Sequence, residues 1–395
     1  MNAFNGTNPY RIRNASVILP TGIFEHKTLR IESGKIVAIE DDAVQSDSLP
    51  AIDAQGLFVA PGCIDTHIHG GGGHDFLEAT PEVFRLIAAT HAKYGTTALY
   101  PTLGAGPLSV FKQAIKTCEQ VMQEEPQGAR IMGLHLEGPY LNMTMCGGQD
   151  SRYIIMPNPE EYKALLRETT CIKRWSAAPE LPGGLDFGRY ASKHGVLVSL
   201  AHTVADYDMV KQAYDAGYTH VTHFYNAMTG VHKNREYKKE GTIESVYLMN
   251  DMTVEVIADG IHVPPAIIQL IHKIKGTERV MLITDAMAAA TCPEGCVTHN
   301  GRIILEDGVC KLADRSALAG SAATTNRLIR TLIQQTGISL VDAVRMASET
   351  PARIMGISDT KGTLACGKDA DIIIFDSNIE IQTTIVEGRV VYNRL

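Results

Sequence analysis

The sequence predicts an α/β fold, a (β/α)8 TIM barrel with a small β-sandwich domain built from both chain termini. Three observations predict it. Eight short apolar segments of strand character recur through the middle of the chain, with helical periodicity between most of them. Both ends of the chain read as strands and turns without a helical period. No Gly-x-Gly-x-x-Gly turn follows the first barrel strand, which argues against a doubly wound open sheet.

In chain order, residues 1–60 supply the first part of the sandwich. Ser16-Val17-Ile18-Leu19 is a β-type run, Leu29-Arg30-Ile31 alternates, and Ser33-Gly34-Lys35 reads as a turn into Ile36-Val37-Ala38-Ile39. Residues 61–355 hold the barrel. Its strands are expected at Cys63–His69, Thr97–Thr102, Ile131–Glu137, Ile172–Ala177, Val196–His202, His220–Phe224, Val254–Ala258 and Val280–Asp285. Pro81 to Lys93 places Phe84, Ile87, Ala88 and His91 on one helical face. Pro107 to Glu124 does the same with Val110, Phe111, Ala114, Cys118 and Val121. Asp206–Ala216 and Pro265–Lys275 follow this pattern. Eight such units over roughly 290 residues match the usual size of the barrel. A hairpin insertion is expected at about 291–316, where Asn300-Gly301 and Asp307-Gly308 bracket Arg302-Ile303-Ile304-Leu305. Leu328–Gln335 and Leu340–Ser348 read as helices, with Thr350-Pro351 ending the second. Residues 356–395 complete the sandwich, with a strand at Asp371–Phe375 and a hairpin about Glu387-Gly388.

Composition narrows the function. The chain has 395 residues, 45% hydrophobic and 20% charged, with a net charge of −8. That balance argues against non-specific nucleic-acid binding, which needs a basic face, and an anionic substrate would need its own local cationic pocket. No apolar run approaches the ~20 residues needed to cross a bilayer. The polar start lacks a signal-peptide pattern, so a cytoplasmic location is expected. Of eight cysteines only Cys292 and Cys296 are close in sequence, and a second pair for a zinc site is missing. Free thiols are the simpler reading.

The polar residues of interest fall at the carboxyl ends of the expected strands, the active-site face of such a barrel. In Asp65-Thr66-His67-Ile68-His69 the two histidines share a face, because strand side chains alternate. They form a half-site for a divalent metal, or two partly exposed histidines. Glu137 ends an apolar strand, as a metal ligand, a cation's partner or a solvated strand end. His202 and His223 end consecutive strands, which lie ~4.8 Å apart, so both rings can reach one ion. Either alone is more readily a satisfied core histidine. Asp285 ends the eighth strand. A carboxylate there suits the general base of metal-assisted hydrolysis, or caps the next turn.

This constellation resembles the amidohydrolase superfamily over nearly the whole chain, including the split terminal sandwich. Within it, the chain is similar to the N-acetylglucosamine-6-phosphate deacetylase family. The motifs are Gly133-Leu134-His135-Leu136-Glu137-Gly138-Pro139-Tyr140-Leu141-Asn142, Thr222-His223-Phe224-Tyr225-Asn226-Ala227-Met228, Ala258-Asp259-Gly260-Ile261-His262-Val263 and Leu318-Ala319-Gly320-Ser321. The resemblance implies a divalent metal, zinc first and iron or manganese next, on Glu137, His202 and His223. It implies Asp285 as acid and base. His67 and His69, which some members lack, imply room for a second ion. By the same resemblance Asn226 and Ala227 hold the substrate near its phosphate, His262 contacts the sugar, Leu318, Ala319 and Gly320 line the acyl side, and Gln149 is an amide donor. The phosphate loop of the family reads Gly/His-Arg-Glu-Pro-Gly. Here it runs from His232 to Gly241, longer and without the proline, with His232 and Arg235 as its matches. In the family this loop reaches a neighbouring subunit, so a homodimer is expected. Dihydroorotase-like relatives bridge two metals with a carboxylated lysine on the fourth strand. Lys173 lies at the wrong end of that strand for this role. A non-catalytic scaffold would be expected to have lost ligands, and none is missing.

Overall fold

The computed structural model describes residues 4–42, 48–299 and 301–395. Eight parallel strands form the barrel: β1 (Cys63–Ile68), β2 (Thr96–Leu103), β3 (Leu134–Glu137), β4 (Ile172–Ala177), β5 (Leu197–Leu200), β6 (Tyr218–Val221), β7 (Thr253–Val256) and β8 (Val280–Leu282). They pair in chain order. The ring closes just past the strand ends, where the Asp285 N–H donates to the His67 carbonyl and the His69 N–H to the Ala286 carbonyl, both at 2.9 Å. Closure therefore fixes Asp285 beside the first-strand histidines.

The helix layer follows from the apolar periodicity. Helix α1 (Pro81–Ala92) starts on the Thr80 hydroxyl cap with proline in its first turn and buries Val83, Phe84, Ile87, Ala88 and His91. Helix α2 (Leu108–Met122) buries Phe111, Ala114, Ile115 and Cys118. Helices α3 (Pro159–Glu168), α4 (Gly184–Lys193), α5 (Tyr207–Asp215), α6 (Thr242–Leu248) and α7 (Pro265–Lys275) complete the ring up to β8. Among the described residues no helix is long and apolar enough to cross a membrane.

Several expected boundaries move, each for a physical reason. The third strand is interrupted: Arg130–Ile131 pairs with β2, and β3 starts only at Leu134. Gly133 between them has φ +135°, and a Cβ there would lie 2.4 Å from Lys173 Cγ. The fifth, sixth and eighth strands stop short of His202, His223 and Asp285, because these three residues turn into left-handed backbone. Helix α8 (Thr325–Thr331) begins earlier than expected and continues as a π turn over Leu332–Thr336. Helix α9 (Leu340–Ala347) ends as expected. Thr350-Pro351 does not close the helical region, since α10 (Glu349–Ile354) follows with Pro351 in its first turn, where the missing N–H has no helical partner to lose.

The insertion after β8 is a three-stranded antiparallel sheet, Val297–Thr298, Ile303–Glu306 and Val309–Leu312. Asp307 and Gly308 form its second turn with φ +57° and +70°. Asn300 of the first expected turn lies outside the described residues.

The two chain ends share one mixed sheet of eight strands around the core of Tyr10, Ile12, Val17, Leu29, Ile31, Ile372, Ile374 and Ile385. The Tyr10 hydroxyl donates to the Gly388 carbonyl at 2.9 Å. The sheet's far ends meet so closely that a Cβ on Gly388 would lie 2.8 Å from Gly34 Cα.

Candidate active site

Alternation along β1 sends His67 and His69 to the carboxyl face of the barrel, while Ile68 enters the core. Glu137 is the last residue of β3. His202, His223 and Asp285 stand a few residues beyond their strands with φ of 45°, 27° and 49°. For side chains with a Cβ this backbone costs about 1–3 kcal/mol each and persists only where the surroundings enforce it. Here it turns all three side chains toward Glu137.

The five ligand-type residues expected to meet do meet, together with Asp285. They form two buried groups, Glu137–His202–His223 and His67–His69–Asp285. In the first, Glu137 Oε1 lies 2.9 Å from His223 Nε2 and 3.2 Å from His202 Nε2, and the two imidazole nitrogens are 3.2 Å apart. In the second, His69 Nε2 lies 3.2 Å from Asp285 Oδ1 and 3.2 Å from His67 Nε2. Glu137 joins them, since its Oε2 is 3.1 Å from His69 Nε2.

The donor set fits divalent cations. His202 Nδ1 lies 2.6 Å from the Met145 carbonyl, and His67 Nδ1 lies 2.7 Å from Glu255 Oε1. Both partners accept hydrogen bonds only, so both Nδ1 atoms carry the proton. In the neutral tautomer each Nε2 then presents a lone pair to carboxylate oxygens and other imidazole nitrogens about 3 Å away. Such a cluster is repulsive without positive charge at its centre, which is the chemistry of a mixed nitrogen and oxygen metal site. Burial pushes the Glu137 and Asp285 carboxyls up, but positive charge at that centre, carried by protonated imidazoles when no ion supplies it, outweighs burial and holds both below the usual carboxylate range.

Beneath the cluster lies a buried layer that sequence reasoning missed. Glu255 of β7 pairs with Arg174 of β4, and both are fully buried. His135, one residue pair back from Glu137, bonds to Thr102 at 3.1 Å and Ser176 at 2.7 Å. Burial and the Arg174 charge hold its imidazole well below the ordinary range. Asp65 accepts from the Thr284 hydroxyl at 2.5 Å and so ties β1 to β8. A signal existed for Glu255: a carboxylate within the apolar run Val254 to Ile257 requires a buried partner.

The cluster floors a cavity of about 430 Å³. Gln149, Asn226, Ala227, His262, Leu318, Ala319 and Gly320 all line it. Gln149 donates to Glu137 Oε2 at 2.6 Å and accepts from the Ala105 N–H at 2.8 Å, so its amide is engaged with the cluster itself. Gly320 has φ +66°, and a Cβ there would lie 2.6 Å from Met287 Sδ. Arg302 and His299, which sequence reasoning did not single out, reach the cavity from the inserted sheet and are held by Asp150 at 3.1 Å and Asp75 at 2.9 Å. His232 and Arg235 are not brought to this cavity. They sit on an exposed hairpin, His232–Asn234 against Tyr237–Lys239. Cys292 and Cys296 are free thiols, and among the described residues they belong to no cluster suited to a metal.

Comparison with known proteins agrees with this geometry. Residues 58–391 match the amidohydrolase family. The chain is 32% identical over 382 residues to N-acetylgalactosamine-6-phosphate deacetylase of Escherichia coli O157:H7, covering 96% of this chain and 98% of that protein. It is 30% identical to N-acetylglucosamine-6-phosphate deacetylase of Lysinibacillus sphaericus, covering 96% and 97%. The crystal structure of N-acetylglucosamine-6-phosphate deacetylase from Pasteurella multocida superposes with a TM-score of 0.90 at 30% identity, over 97% of this chain and 99% of that one. A Mycobacterium smegmatis mutant of the same enzyme, in complex with N-acetyl-D-glucosamine-6-phosphate, gives 0.88 at 31% identity, over 98% and 100%. Matched along nearly its full length in sequence and in fold, the chain belongs to the amidohydrolase family, among its amino-sugar-phosphate deacetylases.

Proposed function

We propose that this chain hydrolyses N-acetyl-D-glucosamine 6-phosphate to D-glucosamine 6-phosphate and acetate, in amino-sugar catabolism in the cytoplasm. The observation that carries this reading is the convergence of Glu137, His202, His223 and Asp285 on one cavity. In this reading Glu137, His202 and His223 hold a divalent cation, zinc in our proposal. His67 and His69, with Asp285, offer a place for a second. A bound divalent cation supplies an acidified water and a Lewis acid for the acetamide carbonyl.

The chain's own groups do the rest. Asp285 is an anion in the pocket and accepts the proton of the attacking water. It returns that proton to the departing amine nitrogen. Asn226 and Ala227 hold the phosphate-bearing end, His262 contacts the sugar, and Leu318, Ala319 and Gly320 enclose the acetyl group. Gln149 stands beside the reacting carbonyl as an amide donor. His232 and Arg235 lie outside the lining of their own cavity, so we assign them to the phosphate of a neighbouring subunit in a homodimer.

Purified protein incubated with N-acetylglucosamine 6-phosphate should release acetate and lose that activity on chelation. No acetate would end this reading. A second reading, the galactosamine epimer as preferred substrate, is favoured by the 32% identity to the Escherichia coli relative. Comparing kcat/KM for the two sugar phosphates decides between them.

A further inference from the structure

Glu255 is fully buried on β7, below the cavity floor, and lines no part of the cavity. Its Oε1 accepts from His67 Nδ1 at 2.7 Å and from the backbone N–H of His223 at 2.8 Å. One oxygen therefore touches one residue from each ligand group. Its backbone carbonyl accepts the next N–H, that of Phe224, at 2.8 Å. Its Oε2 pairs with the Arg174 guanidinium, which is itself held by Thr222 Oγ1 at 3.0 Å and Ser199 Oγ at 3.2 Å.

We propose that Glu255 is a positioning residue that ties the two ligand groups together. The inference rests on reading those groups as a metal centre. It goes beyond that reading because no ligand role is involved. A carboxylate accepts and does not donate, so it fixes the His67 proton on Nδ1 and leaves the Nε2 lone pair for the cluster. The same oxygen secures the His223 N–H, in a residue whose φ of 27° is disfavoured for a side chain with a Cβ. Glu255 thus holds two successive N–H groups of the turn that aims His223 at Glu137. Arg174 supplies the countercharge that keeps the carboxylate ionised in a dry interior. A residue present only to neutralise Arg174 would not need its second oxygen on His67.

Glu255→Gln tests this. Its amide can donate toward His67 Nδ1 and reverse the tautomer, or face Arg174 and leave a buried cation unpaired. The second effect can unfold the protein, so the double variant Arg174→Met/Glu255→Gln is made alongside it and removes both charges. Zinc bound per chain and zinc affinity are measured by titration and elemental analysis. Melting of the chelator-stripped proteins is followed by circular dichroism. The expected result is a loss of zinc affinity on the order of 10- to 100-fold, with the stripped double variant melting within a few degrees of stripped wild type. Wild-type zinc affinity in the folded double variant overturns the proposal. So does a zinc loss that merely follows a collapse in melting temperature of the stripped protein. A wild-type protein that takes up no zinc contradicts the metal-centre reading instead, and the two failures are distinct.

Discussion

His262 Nδ1 donates to the Asp259 carboxylate at 2.8 Å, and both side chains are almost wholly buried. The other Asp259 oxygen accepts the N–H groups of Ile261 and His262, each at 2.9 Å, so the carboxylate cannot swing away. Burial raises the Asp259 carboxyl, but the hydrogen bond from His262 and these N–H groups outweigh it and keep it charged. His262 Nε2 is left buried and without a hydrogen-bond partner, in a residue that lines the cavity. That arrangement suits one ligand contact of fixed direction. Asp259→Asn should raise KM for the phosphorylated sugar by about tenfold, roughly 1.4 kcal/mol of lost binding. Its kcat should move far less, and KM for the unphosphorylated sugar should rise in similar proportion. Steady-state kinetics on both sugars test this. A rise confined to the phosphorylated sugar would place His262 at the phosphate and overturn the sugar contact.

Asp285 Oδ1 faces His67 Nε2 at 3.4 Å and His69 Nε2 at 3.2 Å. Asp285→Asn keeps the shape and removes the base. It should lower kcat by about 10²–10⁴-fold, the usual worth of a positioned acid–base group. The ion held by Glu137, His202 and His223 should remain, so at least one metal per chain is expected by elemental analysis. Near-normal turnover would remove Asp285 from proton transfer.

Much of this was readable from residue order because it depends on local pattern. Eight apolar runs give the strands, and the period of two puts His67 and His69 on one side of β1. The features that escaped are those whose cause lies elsewhere in the chain. Nothing near His202, His223 or Asp285 in the sequence announces left-handed backbone, which is imposed by the bonds each makes after folding. The Glu255–Arg174 pair joins residues 81 apart in the chain, and neither neighbourhood reveals the other. His232 and Arg235 show the opposite case. Their loop matches the family motif only in part, and whether the hairpin reaches its own cavity is a tertiary property.

Buried histidines also make stability depend on pH. His91 is fully buried on α1, with Nε2 2.9 Å from the Gly70 carbonyl, and burial lowers its pKa to about 4 despite that bond. In the unfolded chain it titrates near 6.5. Between these values the unfolded state binds the proton and the folded state does not. Stability is therefore full above pH ~6.5 and falls as pH drops toward ~4, by at most about 1.4 kcal/mol per pH unit from this group. His91→Gln removes the titration and should flatten the slope between pH 6 and 4.5. Urea unfolding of chelator-treated protein measures this without competition from metal release. An unchanged slope would mean that His91 is protonated in the fold.

The exposed hairpin carrying Arg235 allows a test that separates an intrachain from an intersubunit role. Arg235→Ala should raise KM for the phosphorylated sugar with little change for the unphosphorylated one. That alone does not say whose cavity is served. If Arg235 serves its partner, a mixed dimer of Arg235→Ala and Asp285→Asn chains contains one complete site. The Arg235→Ala chain keeps Asp285, and the Asp285→Asn chain lends its arginine. The other site lacks both. Unfolding and refolding the two variants together should therefore restore up to about one quarter of wild-type kcat/KM, since half the dimers are mixed and each has one good site of two. An arginine acting within its own chain predicts no recovery, because no site then combines both residues. Measuring activity against the mixing ratio distinguishes the two cases, and a flat response would place the phosphate contacts within the single chain, where His262 and Arg302 line the cavity.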